Sequence, residues 1–253
     1  MSGGGKSINN IMNICAAQIH PAKGEIAENI GRHKRLIDLA LQNGAELIVF
    51  PELSITGYEP DLAADLVTDP SDPRLDVFQA ISDSTGVVLT MGLPTGSPDG
   101  IRISMVIFQP DHPRLTYSKQ HLHEDEFPYF VRGEEQVFLT CNDHILAPAI
   151  CYESLLPEHA EAAGRKGADV YLAAVAKPVK GVEKAYRHYP QIARKYGMTV
   201  LMSNCIGPCD NFTAAGGSAI WLPDGSLAGQ LDTQTEGIIL LNTKTLEVAE
   251  DYI

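Results

Sequence analysis

The chain has 253 residues, of which 44% are hydrophobic and 20% are charged, so it can bury an ordinary core and is expected to form a single domain. Its formal net charge of −13 and pI near 4.9 argue against nucleic acid and anionic membranes as partners, and favour a small uncharged or cationic molecule. No segment has the length and apolarity of a membrane span or a secretory signal, and the five cysteines are odd in number and irregularly spaced. We therefore expect a cytoplasmic protein with reduced thiols.

The first residues contain a glycine-rich string that imitates a phosphate-binding loop. Gly3, Gly4, Gly5, Lys6 and Ser7 match the end of such a loop, but only two residues precede Gly3. A phosphate-binding loop needs an earlier glycine and a strand before it. We therefore expect residues 1–10 to be a flexible leader and residues 11–253 to form the domain.

The N-terminal half predicts alternating strands and helices. Residues 12–19 are mostly apolar and predict a buried strand, and residues 25–42 carry apolar residues at near-helical spacing, with Gly44 as the helix stop. A short apolar run at residues 47–50 predicts a strand that leads into Glu52. The next expected elements are a helix at 74–84, a strand at 87–93, a hairpin turn at 94–100 and a strand at 101–108.

The C-terminal half continues the alternation. Residues 144–150 predict a strand in which Pro148 cannot donate to a ladder, which indicates an edge, a bulge or an irregular pairing. The remaining expected elements are a helix at 157–166, a strand at 170–175, a helix at 184–196, a strand at 199–204, a hairpin of 218–222 with 227–231, and a final strand at 237–241. Interleaved helices and strands with hairpins predict an α/β fold, a sandwich of two mixed sheets in preference to a barrel.

Three polar residues follow predicted strands and together supply the groups needed for acyl transfer. They are Glu52, Lys119 and Cys151. A thiol needs a neighbouring base to become a nucleophile, and a buried glutamate can serve if burial raises its pKa. A lysine ammonium can hold the oxyanion that the attack creates. By residue type alone the evidence is weak, and the ordinary interpretation is favoured: a structural cysteine, a glutamate that caps a loop and a solvated lysine.

The strings around these residues closely resemble a known family. LIVFPELSITGY at residues 47–58, YSKQHL at 117–122 and AICYESLLPE at 149–158 are similar to the three signature segments of the nitrilase superfamily, the carbon-nitrogen hydrolases, in that family's order. AAQIHP near the start and GGSAIWLPDGSLAGQL at 216–231 extend the resemblance over nearly the whole chain after the leader.

The resemblance implies a role for each matching position. Cys151 is then the nucleophile, Glu52 the general base and acid, and Lys119 the oxyanion stabiliser, with the backbone N–H of Tyr152 as a second donor. The family's fourth recurring residue is a glutamate shortly after the lysine, and the segment E-F-P-Y-F-V-R-G at residues 126–133 points to Glu126. Glu124 remains a lesser candidate, because the gap from the lysine is one residue shorter than is common.

The resemblance also implies the architecture, an αββα sandwich that pairs as a homodimer or builds a larger homo-oligomer. It implies no cofactor and no metal. Substrate contacts are expected from a loop and two strand-end segments, with these candidates: Tyr58, Phe127, Tyr129, Ser203 and Asn204. Phe127 and Tyr129 fit a pocket wall and ordinary core equally well.

The expected activity is hydrolysis of a small amide, such as an ω-amide, a deaminated-peptide amide or an N-carbamoyl compound. Nitrile hydrolysis is the alternative within the family. Two features favour the amide: the chain is compact, and position 152 is a tyrosine, where true nitrilases usually carry tryptophan. A binding protein without turnover and an acyl transferase that uses the same thioester remain open. A local Arg132 or Lys177 would reverse the bias of the net charge against anionic substrates.

Overall fold

The computed structural model describes residues 11–253, so the leader predicted at residues 1–10 lies outside the described part of the chain. The helices are α1 Ile26–Gln42, α2 Ala63–Leu66, α3 Asp76–Thr85, α4 Pro157–Arg165 and α5 Val179–Tyr196. Short 3₁₀ turns lie at Pro60–Leu62, Pro73–Leu75, Glu124–Glu126 and Cys151–Leu155. None of the helices in this range is long and apolar enough to cross a membrane.

The strands form two large sheets and one small one. The first eight are β1 Asn13–Gln18, β2 Leu47–Val49, β3 Val88–Ser97, β4 Gly100–Phe108, β5 Leu115–Ser118, β6 Leu139–Cys141, β7 His144–Ile150 and β8 Val170–Val175. The others are β9 Thr199–Asn204, β10 Ile206–Cys209, β11 Phe212–Ala215, β12 Ala219–Trp221, β13 Leu227–Gln230, β14 Gly237–Asn242 and β15 Val248–Tyr252. The larger sheet has the order β15-β14-β1-β2-β3-β4-β5, the other has β13-β12-β9-β8-β7-β6, and β10 pairs with β11.

Side-chain alternation along the strands creates four layers. In β1, Ile14 and Ala16 pack into a core shared with strands of the other sheet, whereas Cys15 and Ala17 pack against α1 and α3. The opposite sheet packs its outer face in the same way against α4 and α5. The predicted α/β fold, a two-sheet αββα sandwich in a single domain, is therefore confirmed.

Most predicted elements are present, with differences at their ends. The hairpin turn predicted at 94–100 is shorter, because β3 continues through Pro94, which pairs with Ile103 of β4. The strand tolerates this proline because β2 accompanies β3 only as far as Thr90. Helix α5 begins at Val179 and not at residue 184, and β15 follows the strand predicted to be last.

Of the edge, bulge or irregular pairing expected at Pro148, the structure shows a local edge, although β7 itself lies between β6 and β8 in the sheet. Strand β6 pairs with β7 only at residues 144–146, so beyond Leu146 the strand has β8 as its single partner. The side chain of Gln136 donates to the Pro148 carbonyl at 3.0 Å.

Candidate active site

Glu52 is held by a loop that lies tightly on strand β3. The loop begins where the Phe50 N–H donates to the Thr90 carbonyl at 3.2 Å, and Leu53 has a positive φ of 51°. At Gly92 of β3, a Cβ atom would lie 2.3 Å from the Leu53 nitrogen and 2.4 Å from the Pro51 oxygen. Only glycine leaves room for this approach, which fixes the Glu52 backbone at the end of β2.

Lys119 follows β5 and is buried between two carboxylates. Its backbone N–H donates to the Ile103 carbonyl at 2.9 Å, and its carbonyl accepts from the Gly133 N–H at 2.7 Å. Its Nζ donates to Glu52 Oε1 at 2.7 Å and to Glu126 Oε1 at 2.6 Å. An ammonium has three N–H donors, so two carboxylates leave one donor for a substrate oxygen.

Glu126, and not Glu124, is the second carboxylate of the site. Glu126 is 1% exposed, whereas Glu124 is on the surface. Besides Lys119, Glu126 accepts from the Tyr58 hydroxyl at 2.9 Å and, through Oε2, from the His123 N–H at 2.7 Å. Three donors thus converge on a carboxylate that holds the lysine in place.

Cys151 lies at the junction of β7 and a 3₁₀ turn, with a positive φ of 48°. A left-handed conformation in a residue with a side chain costs about 1–3 kcal/mol and is typical of functional sites. The Ser154 hydroxyl donates to the Cys151 carbonyl at 2.5 Å and helps to hold this geometry. Tyr152 is the second residue of the turn, where backbone N–H groups have no acceptor within the turn itself.

A cavity of about 360 Å³ opens onto these groups. Its volume is in the range of small-molecule sites. Cys151, Glu126 and Tyr58 line it. The other lining residues come from the two 3₁₀ turns around Glu126 and Cys151, from the segment that leads into α5 and its first residues, and from the start of β11: His123, Asp125, Tyr152, Leu155, Ala176, Lys177, Pro178, Lys180, Gly181, Lys184, Asn211 and Phe212. The structure therefore brings the Cys151 thiol and the Glu126 carboxylate together at one concave surface. Lys119 and Glu52 are buried behind this lining, and Lys119 is bonded to Glu126.

The sequence pattern described as "Carbon-nitrogen hydrolase" matches residues 13–250. The chain belongs to this family. The resemblance to the nitrilase superfamily is confirmed.

Known relatives of this carbon-nitrogen hydrolase include a glutamine-dependent NAD(+) synthetase of Rhodobacter capsulatus, 27% identical over 89% of the chain. The chain covers only 42% of that synthetase. A hydrolase encoded in the pqqF 5′ region of Pseudomonas protegens is 28% identical over 89% of the chain and 85% of its own length. A solved amidase from Nesterenkonia sp. is 25% identical with a TM-score of 0.83, over 91% of this chain and 89% of that one.

The electrostatics of this hydrolase site suit a glutamate base. Burial raises the pKa of Glu52 to about 6, and the Glu126 charge adds to the effect, while Lys119 opposes it. Oε2 of Glu52 is buried and has no N–H or O–H donor among residues 11–253. The Cys151 thiol is a hydrogen-bond donor to the same carboxylate, and this interaction lowers the Glu52 pKa. Burial works against the charge of Lys119, but the neighbouring Glu52 and Glu126 carboxylates outweigh it and raise the lysine pKa, so the ammonium stays charged.

The surroundings of Cys151 favour the neutral thiol over the thiolate in the resting site. Burial raises the pKa of Cys151 to about 11, and the Glu52 charge acts in the same direction. The charges of Lys177 and Lys119 lower the Cys151 pKa, but their effect is smaller than the rise caused by burial and Glu52. The Lys177 Nζ lies 3.7 Å from the Cys151 sulfur.

Glu153 joins the lysine and cysteine segments, and sequence reasoning missed it. Its Oε1 accepts from the Tyr117 hydroxyl at 2.5 Å and from the Ile150 N–H at 2.8 Å. Its Oε2 accepts from the Gln120 N–H at 2.7 Å and from the His121 N–H at 3.2 Å. A fully buried carboxylate with four donors thus fixes the distance between the segments that carry Lys119 and Cys151. The sequence feature that could have identified Glu153 is its position two residues after Cys151.

The candidates for substrate contact divide into three groups. Tyr58 lines the cavity, although its hydroxyl proton is already donated in the hydrogen bond to Glu126. Phe127 and Tyr129 are 51% and 40% exposed and do not line the cavity, so they form neither a pocket wall nor core. Both follow the turn that buries Glu126, and that turn directs them to the surface.

Ser203 and Asn204 also lie outside the cavity lining, so their predicted substrate contact is not supported. The Ser203 hydroxyl donates to the Ala17 carbonyl at 2.6 Å and connects the two sheets. Asn204 accepts from the Lys177 N–H at 2.9 Å and donates to the carbonyls of Gly216 and Lys177 at 2.8 and 3.2 Å. Both are fully buried, and their polar groups are used internally.

Two further cysteines, Cys205 and Cys209, lie close to each other. Cys205 and Cys209 are buried, unoxidised and 3.7 Å apart at sulfur. Within residues 11–253 there is no group of three or more histidine, cysteine or acidic residues arranged to hold a metal ion.

Proposed function

We propose that this carbon-nitrogen hydrolase releases ammonia or amine from a small amide through a thioester on Cys151. The observation that carries the proposal is the buried Lys119 ammonium, which is bonded to Glu52 and to Glu126; Glu126 lines the same cavity as the Cys151 thiol. This arrangement supplies a nucleophile, a base with a pKa near neutrality and a fixed positive charge.

In the first half-reaction, Glu52 accepts the Cys151 proton while the sulfur attacks the amide carbonyl carbon. The carbonyl oxygen becomes an anion, and the third N–H of Lys119 and the Tyr152 N–H stabilise it. Glu52 then gives its proton to the departing nitrogen as the carbon-nitrogen bond breaks. Ammonia or amine leaves, and the acyl group remains on the sulfur as a thioester.

In the second half-reaction, Glu52 accepts a proton from water as the water oxygen attacks the thioester carbon. The carbon-sulfur bond breaks, the carboxylic acid is released, and the proton returns to the Cys151 sulfur. Glu126 has the role of keeping Lys119 in position in both halves, through its hydrogen bond to Nζ at 2.6 Å.

Among amides, an ω-amide is the preferred class within this proposal. The Rhodobacter capsulatus relative is glutamine-dependent, and glutamine is itself an ω-amide. The cavity of about 360 Å³ accommodates a molecule of that size. The Nesterenkonia neighbour is an amidase, which favours amide over nitrile substrates.

The test is ammonia release from a panel of glutamine, succinamate, simple aliphatic amides, N-carbamoyl compounds and nitriles. Cys151→Ala is compared with Cys141→Ala, which removes a partly buried thiol on β6. We expect release by the native chain and by the Cys141 variant, and none by the Cys151 variant. A trapped acyl adduct of the expected mass on Cys151 identifies the thioester.

Other outcomes of the panel contradict the proposal in different ways. Faster turnover of nitriles than of amides contradicts the substrate class. Loss of amide without free acid, in the presence of an amine, points to acyl transfer. Binding without turnover of any compound points to a non-catalytic member of the fold.

The predicted homodimer or larger homo-oligomer and the cytoplasmic location stay predictions. Sedimentation velocity tests the first, and a single species at the 27.4 kDa of one chain contradicts it. Fractionation of the source cells tests the second.

A further inference from the structure

Lys177 is a buried cation for which the catalytic steps above have no use. The side chain lies at the end of β8, in the stretch Ala176-Lys177-Pro178 that precedes α5, and is 4% exposed. It lines the cavity beside Cys151. Its Nζ has long contacts, 3.4 Å to the Cys151 carbonyl and 3.7 Å to the sulfur, and makes no ion pair with a carboxylate among residues 11–253.

A buried ammonium without a counter-ion is costly, so its position needs an explanation. The backbone of Lys177 is held firmly: its N–H donates to the Asn204 side chain, and its carbonyl accepts from Asn204 and from the Ala215 N–H at 2.9 Å. In α5, Gly181 leaves room for the lysine stem, since a Cβ there would lie 3.1 Å from the Lys177 Cβ. The charge is thus directed into the cavity by packing and not by an ion pair.

The cavity lining carries charges of both signs. Glu126 and Asp125 supply the acidic groups, and Lys180 and Lys184 of α5 join Lys177 as the basic ones. Three lysines around one cavity are unexpected in a chain with a net charge of −13. An amide whose carbonyl carbon reaches the Cys151 sulfur has its acyl part close to Lys177, whose Nζ lies 3.7 Å from that sulfur.

We propose that Lys177 binds a carboxylate on the acyl part of the substrate, so that the enzyme selects anionic amides over neutral ones of the same shape. The inference rests on the proposed amide hydrolysis and narrows its substrate class. Lys180 and Lys184, which are exposed, attract the anion to the cavity mouth, and Lys177 holds it once it is bound. This reverses the preference for an uncharged or cationic substrate that the net charge predicts.

The kinetic test compares succinamate with succinamide, which has the same shape but no charge. We expect Lys177→Met to lower kcat/KM for succinamate at least about tenfold more than for succinamide, mainly through KM. The smaller loss with succinamide reports the effect of Lys177 on the Cys151 thiol, which both substrates share. Lys177→Arg restores part of the preference. Lys195→Met, at the exposed far end of α5, is the matched control and leaves both substrates unchanged. Equal kcat/KM values for both amides in the native enzyme overturn the inference while the hydrolase proposal stands.

A second measurement does not depend on turnover. Iodoacetate and iodoacetamide alkylate a thiol by the same displacement, in which iodide leaves as the sulfur-carbon bond forms, and they differ in the carboxylate. Mass spectrometry reports the labelling rate at Cys151. We expect Lys177→Met to slow iodoacetate at least tenfold more than iodoacetamide. An equal slowing of both reagents overturns the inference, because Lys177 then acts on the sulfur and not on the carboxylate. The melting temperature of each variant shows that the fold is retained.

Discussion

Replacing Glu126 by glutamine is the sharpest test of the site, because it changes one buried charge and almost no volume. In the native protein, three donors converge on the two oxygens of this carboxylate: Lys119 Nζ, the Tyr58 hydroxyl and the His123 N–H. A glutamine offers one acceptor oxygen and turns an NH₂ donor toward at least one of these groups. We expect the lysine to lose its fixed position.

The size of the effect follows from these contacts. Removing one partner of a buried ion pair costs about 3–5 kcal/mol, and part of that cost falls on the position of Lys119 in the transition state. If about 3 kcal/mol appears in the activation barrier, kcat falls more than 100-fold. The Glu126 charge also raises the pKa of Glu52, so its loss lowers that pKa and moves the acid limb of the rate profile to lower pH.

The assay measures kcat for ammonia release against pH, together with thermal unfolding. Glu124→Gln is the matched control, since Glu124 lies two residues away on the surface and has no contact with Lys119. A folded Glu126→Gln variant with a kcat within about threefold of the Glu124 variant refutes the positioning role. An acid limb that moves to higher pH refutes the electrostatic argument even if kcat falls.

Three further predictions concern the groups around this site. In the native enzyme, kcat/KM falls as pH drops below about 6, because Glu52 gains a proton there and can no longer act as a base; a rate independent of pH between 5 and 7 contradicts this assignment. Gly92→Ala forces a Cβ into the loop backbone and is expected to lower the free energy of unfolding by about 1–3 kcal/mol and to reduce kcat. The control is Gly96→Ala on the same strand, where the nearest atom to the new Cβ is 3.7 Å away. We expect urea unfolding and the activity assay to show no effect of this control. Glu153→Gln leaves buried donors unpaired and is expected to lower the free energy of unfolding by about 3 kcal/mol. Glu158→Gln, on the exposed face of α4, is the control and changes that free energy by less than about 0.5 kcal/mol. Comparable urea midpoints for the two variants contradict a structural role for Glu153.

The sequence was sufficient for the fold class and for the groups that meet at the site. Glu52, Lys119 and Cys151 each follow a strand, and a strand end is a position that apolar periodicity locates well. Glu126 could be chosen over Glu124 from the register of a short motif, and its burial agrees with that choice. All four residues could be identified from the sequence because each lies within a short segment that resembles a family motif.

The cavity wall could not be predicted, because it depends on which face of an element each side chain occupies. Ser203 and Asn204 are consecutive on β9, and a shift of one residue exchanges the two faces of a strand. The Glu153 contacts join residues about thirty positions apart in the chain, such as Gln120, and no local pattern records them. Lys177 was visible as a charge after a strand, but its burial and its lack of a carboxylate partner are tertiary facts.

The two pKa values of the reacting pair explain why the cavity needs more than the nucleophile and its base. In the resting site the pKa of Cys151 lies above that of Glu52, because burial and the Glu52 charge both favour the neutral thiol, so the proton stays on the sulfur. A thiolate is therefore almost absent before the substrate binds, and the proton moves to Glu52 as the sulfur attacks. The new negative charge then resides on the carbonyl oxygen, where the Lys119 ammonium and the Tyr152 N–H stabilise it. The catalytic contribution of Lys119 consequently depends on its remaining charged between two carboxylates, which the hydrogen bonds from Nζ to Glu52 and Glu126 ensure.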